Sequence, residues 1–329
     1  MRVLVTGAGG FLGFALARAL IARGDQVVAV NRSHYPQLDA IGAQQFQGDM
    51  ADADVLMQAA KGCDAIAHVA ALPGHWGRYE DYYRANVLGT ERVLEVCKAH
   101  QICKLVYTST PSVAHAGGDL AGVNESAPIP KHFRAHYPAT KAIAETAVLA
   151  ANSPKLASCA LRPHLIWGPG DNHLLPRLIS RARAGKLKFV GVSQLIDTIF
   201  IDNAVQAHLL ALDQLNPGAV CAGKAYFLSN DEPILLDEMV NKLLACADIA
   251  PVSKHVPYPI AYAAGALLEL AYTVLPIKGE PIMTRFLAEQ LSTAHWYDIS
   301  AIKRDLGYRA DVSIAQGLEV LRASLKALA

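Results

Sequence analysis

Met1-Arg2-Val3-Leu4-Val5-Thr6-Gly7-Ala8-Gly9-Gly10-Phe11-Leu12-Gly13 is the stretch that decides the fold of this chain. Residues 3–5 form an apolar, β-branched run of the kind that makes a buried parallel strand, and a helical pattern of apolar residues follows the glycines. Gly7 permits a tight turn, Gly10 lets the backbone approach a pyrophosphate, and Gly13 lets helix and strand pack closely. Because the helix N-terminus attracts negative charge, the stretch predicts a dinucleotide-binding turn, with Phe11 and Leu12 also at the cofactor.

Composition limits the class of protein. The chain has 329 residues, is 52% hydrophobic and 18% charged, and carries a net charge of +1. This predicts a large core in one large domain or two interlocked domains. The balanced charge argues against nucleic acid as a partner.

The cysteines and the N-terminus indicate the compartment. The six cysteines are scattered and form no CxxC pair, which favours a reduced, cytoplasmic protein. The first strand begins at residue 2, which leaves no room for a signal peptide. Cys97, His100 and Cys103 lie close together in sequence, but further ligands are not evident nearby, so we expect no metal.

The end of the second predicted strand, residues 26–30, bears on the choice of cofactor. Asn31 and Arg32 follow it, where NAD-binding folds place an acidic residue that accepts hydrogen bonds from the adenosine ribose. Asn31 has no charge to repel a 2′-phosphate, and Arg32 can pair with one. We therefore expect NADP(H) in preference to NAD(H). The alternative is that Arg32 is an ordinary surface residue.

Later strand ends supply further cofactor and active-site candidates. Asp49 can bond the adenine amino group while Met50 covers the ring, and the small residues Ala70 and Ala71 leave space for the cofactor. Asn86 lies in a predicted helix, residues 82–99, where asparagine is unfavourable, so it has a bonding role. His68, within a strand, is interpreted as a core histidine with satisfied hydrogen bonds. Four hydroxyl residues follow the fifth strand, where ligands bind in parallel sheets: Thr108, Ser109, Thr110 and Ser112.

Strands and helices alternate along the chain, which predicts an α/β fold with a doubly wound parallel sheet, a Rossmann fold. We expect a dinucleotide-binding domain over residues 1–168, with return segments near residues 197–228. Residues 169–329 are then mainly a smaller, discontinuous substrate-binding domain.

Three helical patterns bear on function. Tyr137 and Lys141 are spaced i, i+4 and share one face of a predicted helix. Residues 177–188 form a basic helix, interpreted as a solvated face, with an entrance for acidic substrate as the alternative. Residues 258–275 contain Glu269 as their sole charge. We expect a buried or pocket-lining helix there, with a peripheral membrane or partner-docking helix as the alternative and a membrane span disfavoured.

The ordered motifs resemble the extended short-chain dehydrogenase/reductase superfamily, and within it the 3β-hydroxysteroid dehydrogenase-like branch. The matching residues are Thr6-Gly7-x-x-Gly10-x-x-Gly13, Asp49-Met50, Ala70-Ala71, Asn86-x-x-Gly89-Thr90, Tyr107-Thr108-Ser109-Thr110, Tyr137-x-x-x-Lys141, and Arg162-Pro163 through Gly168-Pro169-Gly170. The resemblance implies an oxidoreductase in which Tyr137 protonates a ketone oxygen and Lys141 bonds the nicotinamide ribose. Thr110, or Ser109 if the alignment shifts by one, holds that oxygen, and Pro163 and Ile166 lie along the nicotinamide.

The segments Leu165-Ile-Trp-Gly-Pro-Gly-Asp-Asn-His-Leu-Leu-Pro-Arg177 and His295-Trp-Tyr297 are among those that resemble bacterial reductases of long-chain 2-alkyl-3-keto acids in olefin biosynthesis. This implies reversible reduction of such an acid, with His115, Arg134, His164 or Arg177 as candidates to meet its carboxylate. It also implies a homodimer through the helices near Asn86 and Lys141, and partner enzymes of the same pathway.

Several other functions compete with this interpretation. A hydroxysteroid dehydrogenase, or another ketone or aldehyde reductase, uses the same catalytic residues on a different substrate. A catalytically silent, cofactor-sensing scaffold is the alternative from another class, and the intact Thr110, Tyr137 and Lys141 argue against it. Val113-Ala114-His115 stands where nucleotide-sugar epimerases carry Tyr-Gly, which disfavours a sugar substrate.

Overall fold

The structure is a computed structural model that describes residues 1–275, 277 and 279–328. Within those residues the strands are β1 (Arg2–Thr6), β2 (Gln26–Asn31), β3 (Gln44–Gln47), β4 (Ala65–His68), β5 (Lys104–Thr108), β6 (Leu120–Val123), β7 (Ala157–Pro163), β8 (Ile166–Trp167), β9 (Phe189–Val190), β10 (Leu195–Ile196), β11 (Ile199–Phe200), β12 (Ala225–Leu228), β13 (Ile234–Leu235), β14 (His255–Val256) and β15 (His295–Tyr297). The helices are α1 (Phe11–Ala22), α2 (Pro36–Ala40), α3 (Ala53–Ala59), α4 (Tyr79–Tyr82), α5 (Gly89–His100), α6 (His136–Ala150), α7 (Leu174–Arg183), α8 (Ile201–Gln214), α9 (Leu236–Cys246), α10 (Tyr258–Val274), α11 (Arg285–Gln290), α12 (Ser300–Leu306) and α13 (Ile314–Leu328). A π-helical stretch, Tyr83–Leu88, joins α4 to α5, and a 3-10 turn, Pro111–Ala114, follows β5.

A seven-stranded sheet forms the centre of the molecule. Its strand order is β12-β7-β5-β4-β1-β2-β3, and all of its pairings are parallel. Side chains of α1 and α8 pack on one face and those of α3, α5 and α6 on the other. The predicted doubly wound Rossmann sheet is therefore confirmed. Its strand order reverses between β1 and β4, and ligands bind at the carboxyl ends of strands at such a point.

A second sheet, the small sheet, has the order β13-β10-β15-β6. The chain leaves the main sheet after β5 to form β6, returns for β7, and returns again for β12 after β10. Tyr297 of β15 stacks on Phe227 of β12 with ring centroids 4.3 Å apart, which joins the two sheets. Because of these crossings, segments far apart in sequence meet beside the carboxyl ends of β5 and β7.

Two predicted helices differ from the structure. The segment predicted as one α-helix over residues 82–99 contains the π-helical stretch, with the buried Asn86 inside it. Such single-turn interruptions occur often at functional sites. The basic helix predicted to reach Lys188 ends at Arg183, and Gly185 beyond it has a φ of +65°, a conformation that stops a helix.

The apolar helix α10 is not a buried helix, so the expectation of burial was wrong, whereas a pocket-lining role for it stays a prediction. Within this fully described helix, Ala261 and Gly265 are its buried residues, whereas Leu267 is 69% exposed and Leu270 61% exposed. A low charge content removes the cost of burying a helix but does not supply a partner for every face. Among the described residues, no helix combines the length and the hydropathy that crossing a bilayer requires.

Candidate functional site

The glycine turn has the close contacts that its sequence predicts. Gly7 has a φ of +68°, and a Cβ there would lie 2.8 Å from the Cα of Ala70. A Cβ on Gly13 would lie 2.2 Å from the carbonyl oxygen of Gly7, so α1 and β1 approach too closely for any larger residue. We call the turn formed by Gly7, Gly10 and Gly13 the glycine cradle. Phe11 and Leu12 form the first turn of α1, between Gly10 and Gly13 of this cradle. The cradle is the shape that a pyrophosphate needs.

Asn31 faces the glycine turn rather than solvent. Its Oδ1 accepts a hydrogen bond from the Gly9 backbone N–H at 2.8 Å, while its buried Nδ2 has no partner among the described residues. A buried donor without a partner is uncommon in proteins and fits a ligand group at this position. Arg32 is exposed beside it. Together the glycine cradle and this free amide fit the phosphate and ribose of a dinucleotide.

The residues predicted around adenine lie at the next strand end. Asp49 accepts from the Ala51 backbone N–H at 2.8 Å and pairs with Arg84 at 3.1 Å. Burial raises the pKa of Asp49, but these two contacts and the charge of Arg32 outweigh it and leave that pKa below its usual value. Met50 is buried, and its Cβ would lie 3.1 Å from a Cβ added to Gly89. An adenine contact by Asp49 and Met50 stays a prediction.

Asn86 has a bonding role, as its place in a helix predicted. Its Oδ1 accepts from the Leu72 backbone N–H at 2.7 Å, and its Nδ2 donates to the Leu72 carbonyl at 3.2 Å and to Thr140 Oγ1 at 3.0 Å. Both amide hydrogens are therefore used. The structure gives Asn86 a positioning role, in which it ties the loop that begins at Leu72 to α6. Direct cofactor contact by Asn86 stays a prediction.

His68 is a core histidine with satisfied hydrogen bonds, as expected. Its Nδ1 lies 2.7 Å from Thr6 Oγ1, and its Nε2 lies 2.9 Å from Thr90 Oγ1. Thr90 donates its own hydrogen to the Asn86 carbonyl at 2.6 Å, so it accepts from His68. Burial, with a contribution from the Lys141 charge, lowers the pKa of His68 to about 3. A neutral ring bonded on both nitrogens is not available for proton transfer.

Tyr137 and Thr110 come together in the structure. Tyr137 lies in the first turn of α6, and Thr110 precedes the 3-10 turn that follows β5. Burial raises the pKa of Tyr137 to about 12, a hydrogen bond with Thr110 opposes that rise, and the nearby Tyr82 adds to it. Ser109, the alternative to Thr110, is buried, and its Oγ has no partner among the described residues. The effect of the Thr110 hydroxyl on the Tyr137 pKa favours Thr110.

Lys141 is one helical turn from Tyr137 and is 1% exposed. Its Nζ donates to the Thr108 carbonyl at 2.6 Å and lies 4.1 Å from the centre of the Tyr107 ring. Burial lowers the pKa of Lys141 to about 7, while the charge of Glu145 opposes that shift. The ammonium is thus held between a carbonyl and an aromatic face at the end of β5, beneath the tyrosine.

Behind Lys141, the structure shows a buried ion pair that sequence reasoning missed. Arg162 donates from Nε to Glu145 Oε2 at 3.0 Å and from Nη2 to Oε1 at 2.6 Å. No spacing in the sequence signals this pair, because Glu145 lies on α6 and Arg162 on β7. This pair joins α6 to β7 directly below the catalytic candidates.

The remaining predicted contacts lie at the end of β7 and after β4. Pro163 is the last residue of β7, and Ile166 begins β8, where it pairs with Ile199. Leu165 between them has a φ of +43°, unusual for a branched side chain and typical of strained functional turns. Ala71 follows Ala70 in the turn after β4. Nicotinamide contact by Pro163 and Ile166 stays a prediction.

Known proteins share this fold and these motifs. A sequence profile of the 3-beta hydroxysteroid dehydrogenase/isomerase family matches residues 4–257. The chain is 53% identical over 327 residues to the 2-alkyl-3-oxoalkanoate reductase of Stenotrophomonas maltophilia (strain K279a), covering 98% of this chain and 99% of that protein. It is 51% identical over 330 residues to the protein of the same name from Shewanella oneidensis, covering 98% and 85%.

Among solved structures, MoeE5 in complex with UDP-glucose and NAD aligns over 100% of both chains, with a TM-score of 0.77 and 25% identity. The shared fold, the glycine cradle and the pairing of Thr110 with Tyr137 agree with the sequence matches. The chain therefore belongs to the 3-beta hydroxysteroid dehydrogenase/isomerase family of NAD(P)-dependent oxidoreductases.

Proposed function

We propose that this chain reduces long-chain 2-alkyl-3-oxoalkanoic acids to 2-alkyl-3-hydroxyalkanoic acids with NADPH, reversibly. The observation that carries the proposal is the placement of Tyr137 and Lys141 one helical turn apart on α6, with Lys141 Nζ held at the end of β5 by the Thr108 carbonyl at 2.6 Å. The names of two relatives more than half identical over nearly the whole chain support the substrate class.

The catalytic residues suit reduction rather than a passive binding role. When bound, the reduced nicotinamide supplies a hydride to the carbonyl carbon. Thr110 holds the ketone oxygen, and Tyr137 donates its phenolic proton to that oxygen. A pKa of about 12 keeps the Tyr137 phenol protonated at neutral pH, as a proton donor requires. The Lys141 ammonium, one helical turn away, stabilises the phenolate that remains.

NADPH rather than NADH is proposed on the residues after β2. Asn31 is uncharged and bonded to Gly9, so no carboxylate is present there to repel a 2′-phosphate. Arg32 is exposed and can approach that phosphate. Arg32→Ala is expected to weaken NADPH binding about 10-fold or more while leaving NADH binding nearly unchanged. Equal losses for both cofactors, measured by fluorescence titration, would exclude Arg32 as the phosphate-binding residue.

An apolar substrate fits the segments that meet beside the catalytic residues. The loop over residues 72–78 contacts the end of α10 and the segment after it: Trp76 packs edge-on against Tyr272 at 6.2 Å, and His75 lies 3.4 Å from the Pro281 carbonyl. The Trp76–Tyr272 pair gives this region apolar aromatic surface, which supports an apolar substrate. We assign residues 1–168 and the return segments to cofactor binding and the remainder mainly to substrate binding.

The assembly and pathway are part of the same proposal. A homodimer through α5 and α6 is proposed from the resemblance to the superfamily. A place in long-chain olefin biosynthesis, next to enzymes that make or consume the hydroxy acid, follows from the resemblance to reductases of that pathway. Light scattering measures the dimer directly, and a monomer at micromolar concentration would contradict it.

The decisive assay follows NADPH oxidation with a 2-alkyl-3-oxo acid, a 3-keto-steroid and a UDP-sugar. We expect turnover with the keto acid and loss of nearly all turnover in Tyr137→Phe, with NADPH affinity retained. Turnover with the steroid alone would identify a hydroxysteroid dehydrogenase, which the family profile makes the second candidate. NADPH binding without turnover of any ketone would favour a cofactor-sensing scaffold.

A further inference from the structure

Three imidazoles from distant parts of the sequence meet beside the catalytic residues. We call His115, His164 and His295 the histidine cluster. His295 lies in the middle, with its ring centroid 5.1 Å from that of His115 and 6.0 Å from that of His164. His115 ends the 3-10 turn that Thr110 opens, and His164 directly follows Pro163. The cluster therefore joins the carboxyl ends of β5 and β7 to the small sheet.

Hydrogen bonds use only some of the ring nitrogens. His164 donates from Nδ1 to the Asp197 carbonyl at 2.7 Å, since a carbonyl can only accept. Thr293 Oγ1 donates to the Glu289 carbonyl, so it accepts from His295 Nε2 at 2.8 Å. His115 differs: its side chain is 6% exposed, yet its Nε2 has no partner in the described part of the chain. A buried nitrogen without a partner costs about 1–3 kcal/mol, which a ligand can recover.

The cluster is not a metal site, and the nearby arginines are already paired. Among the described residues, no group of three His, Cys, Asp or Glu side chains could hold a metal ion. Arg134 pairs with Glu289 at 3.3 Å, and the exposed Arg177 pairs with Glu280 at 3.4 Å. Of the four residues that the sequence left open for the substrate carboxylate, the two arginines thus have carboxylate partners within the protein.

Substrate chemistry requires the carboxylate to lie close to the reacting carbon. In a 3-oxo acid one carbon separates the carboxylate from the ketone, so its binding group must neighbour Thr110. His115 is the member of the cluster that suits this requirement, because Thr110 and His115 flank the same 3-10 turn, Pro111–Ala114. We infer, on the basis of the function proposed above, that protonated His115 binds the substrate carboxylate through Nε2.

Binding should then be linked to proton uptake. Burial lowers the pKa of His115, the Glu289 charge opposes this and the Arg134 charge adds to it, while the Gly118 backbone hydrogen-bonds to the ring. His295 and Phe286 are the other rings that face it. In the free protein His115 is neutral near pH 7, and a carboxylate favours its charged form. The resulting ion pair also holds the acid as its carboxylate, which lacks the carboxyl proton that moves to the ketone when a 3-oxo acid loses carbon dioxide.

The test compares an acid with its own methyl ester. In His115→Leu we expect kcat/KM for the 2-alkyl-3-oxo acid to fall about 10- to 100-fold more than kcat/KM for the ester. His115→Gln, a smaller change that keeps a hydrogen-bond donor, should lose less. His255→Gln is the matched control, since His255 is exposed and bonded to the Gly191 carbonyl. An acid-to-ester ratio that both His115 variants leave unchanged would overturn the inference.

Calorimetry separates binding from catalysis. The 3-hydroxy acid is titrated into the enzyme–NADPH complex, where no turnover occurs, in two buffers of different ionisation heat at pH 7.5. We expect uptake approaching one proton in the natural protein and near zero in both His115 variants. Hydroxy-acid binding without proton uptake would overturn the role of His115 while leaving the proposed function intact. Absence of turnover with acid and ester alike would instead reject the proposed function.

Discussion

Replacing Asn86 tests whether a buried amide positions the loop beside the active site. Asn86 is 1% exposed and makes hydrogen bonds to both backbone groups of Leu72 and to Thr140. Each neutral hydrogen bond contributes about 1 kcal/mol, so Asn86→Ala should lower the free energy of unfolding by about 3 kcal/mol. The freed loop begins directly beside the turn at Ala70 and Ala71, so the substrate KM should rise as well.

Asn241 provides a matched control for this experiment. It bonds both backbone groups of a single residue, Val252, at 3.0 and 2.8 Å, and lies on α9. Asn241→Ala should lower the free energy of unfolding by about 2 kcal/mol and leave kcat and KM unchanged. Denaturant titration and steady-state kinetics are measured on both variants. If Asn86→Ala loses stability but keeps its natural kcat and KM, as expected for Asn241→Ala, then Asn86 does not position the loop.

Three further changes probe the cradle, the buried histidines and the buried ion pair. Gly13→Ala should weaken NADPH binding at least about 10-fold, because its Cβ would lie 2.2 Å from the Gly7 carbonyl oxygen; unchanged affinity by fluorescence titration would show that the turn can shift. Burial lowers the pKa of His208 to about 4. Below pH 6.5 the unfolded chain therefore binds a proton that the folded chain excludes. The free energy of unfolding falls as the pH falls from 6.5 to 4. His208→Gln should remove about 3 kcal/mol of that pH-dependent loss, and parallel pH–stability curves for the two proteins would contradict this. Glu145→Gln leaves the Arg162 charge buried without its partner and should cost about 3–5 kcal/mol by denaturant titration, whereas a loss below 1 kcal/mol would mean that water reaches the guanidinium.

The sequence by itself determined the elements whose cause is local. A strand, a glycine turn and a helix follow from apolar periodicity and from contacts over a few residues, and β1, the cradle and α1 appear as predicted. Tyr137 and Lys141 share a helix face because the helical repeat places them there. The alternation of strands and helices likewise predicted the parallel sheet, since parallel strands need crossover connections.

Only the tertiary structure decided which groups from distant segments meet. It placed Thr110 rather than Ser109 against Tyr137, and it committed Asn86 to the loop at Leu72. It left α10 largely exposed, because local hydrophobicity does not say which face finds a partner. The histidine cluster likewise unites positions 115, 164 and 295. Such contacts depend on the crossings between two sheets, and no spacing along the chain encodes them.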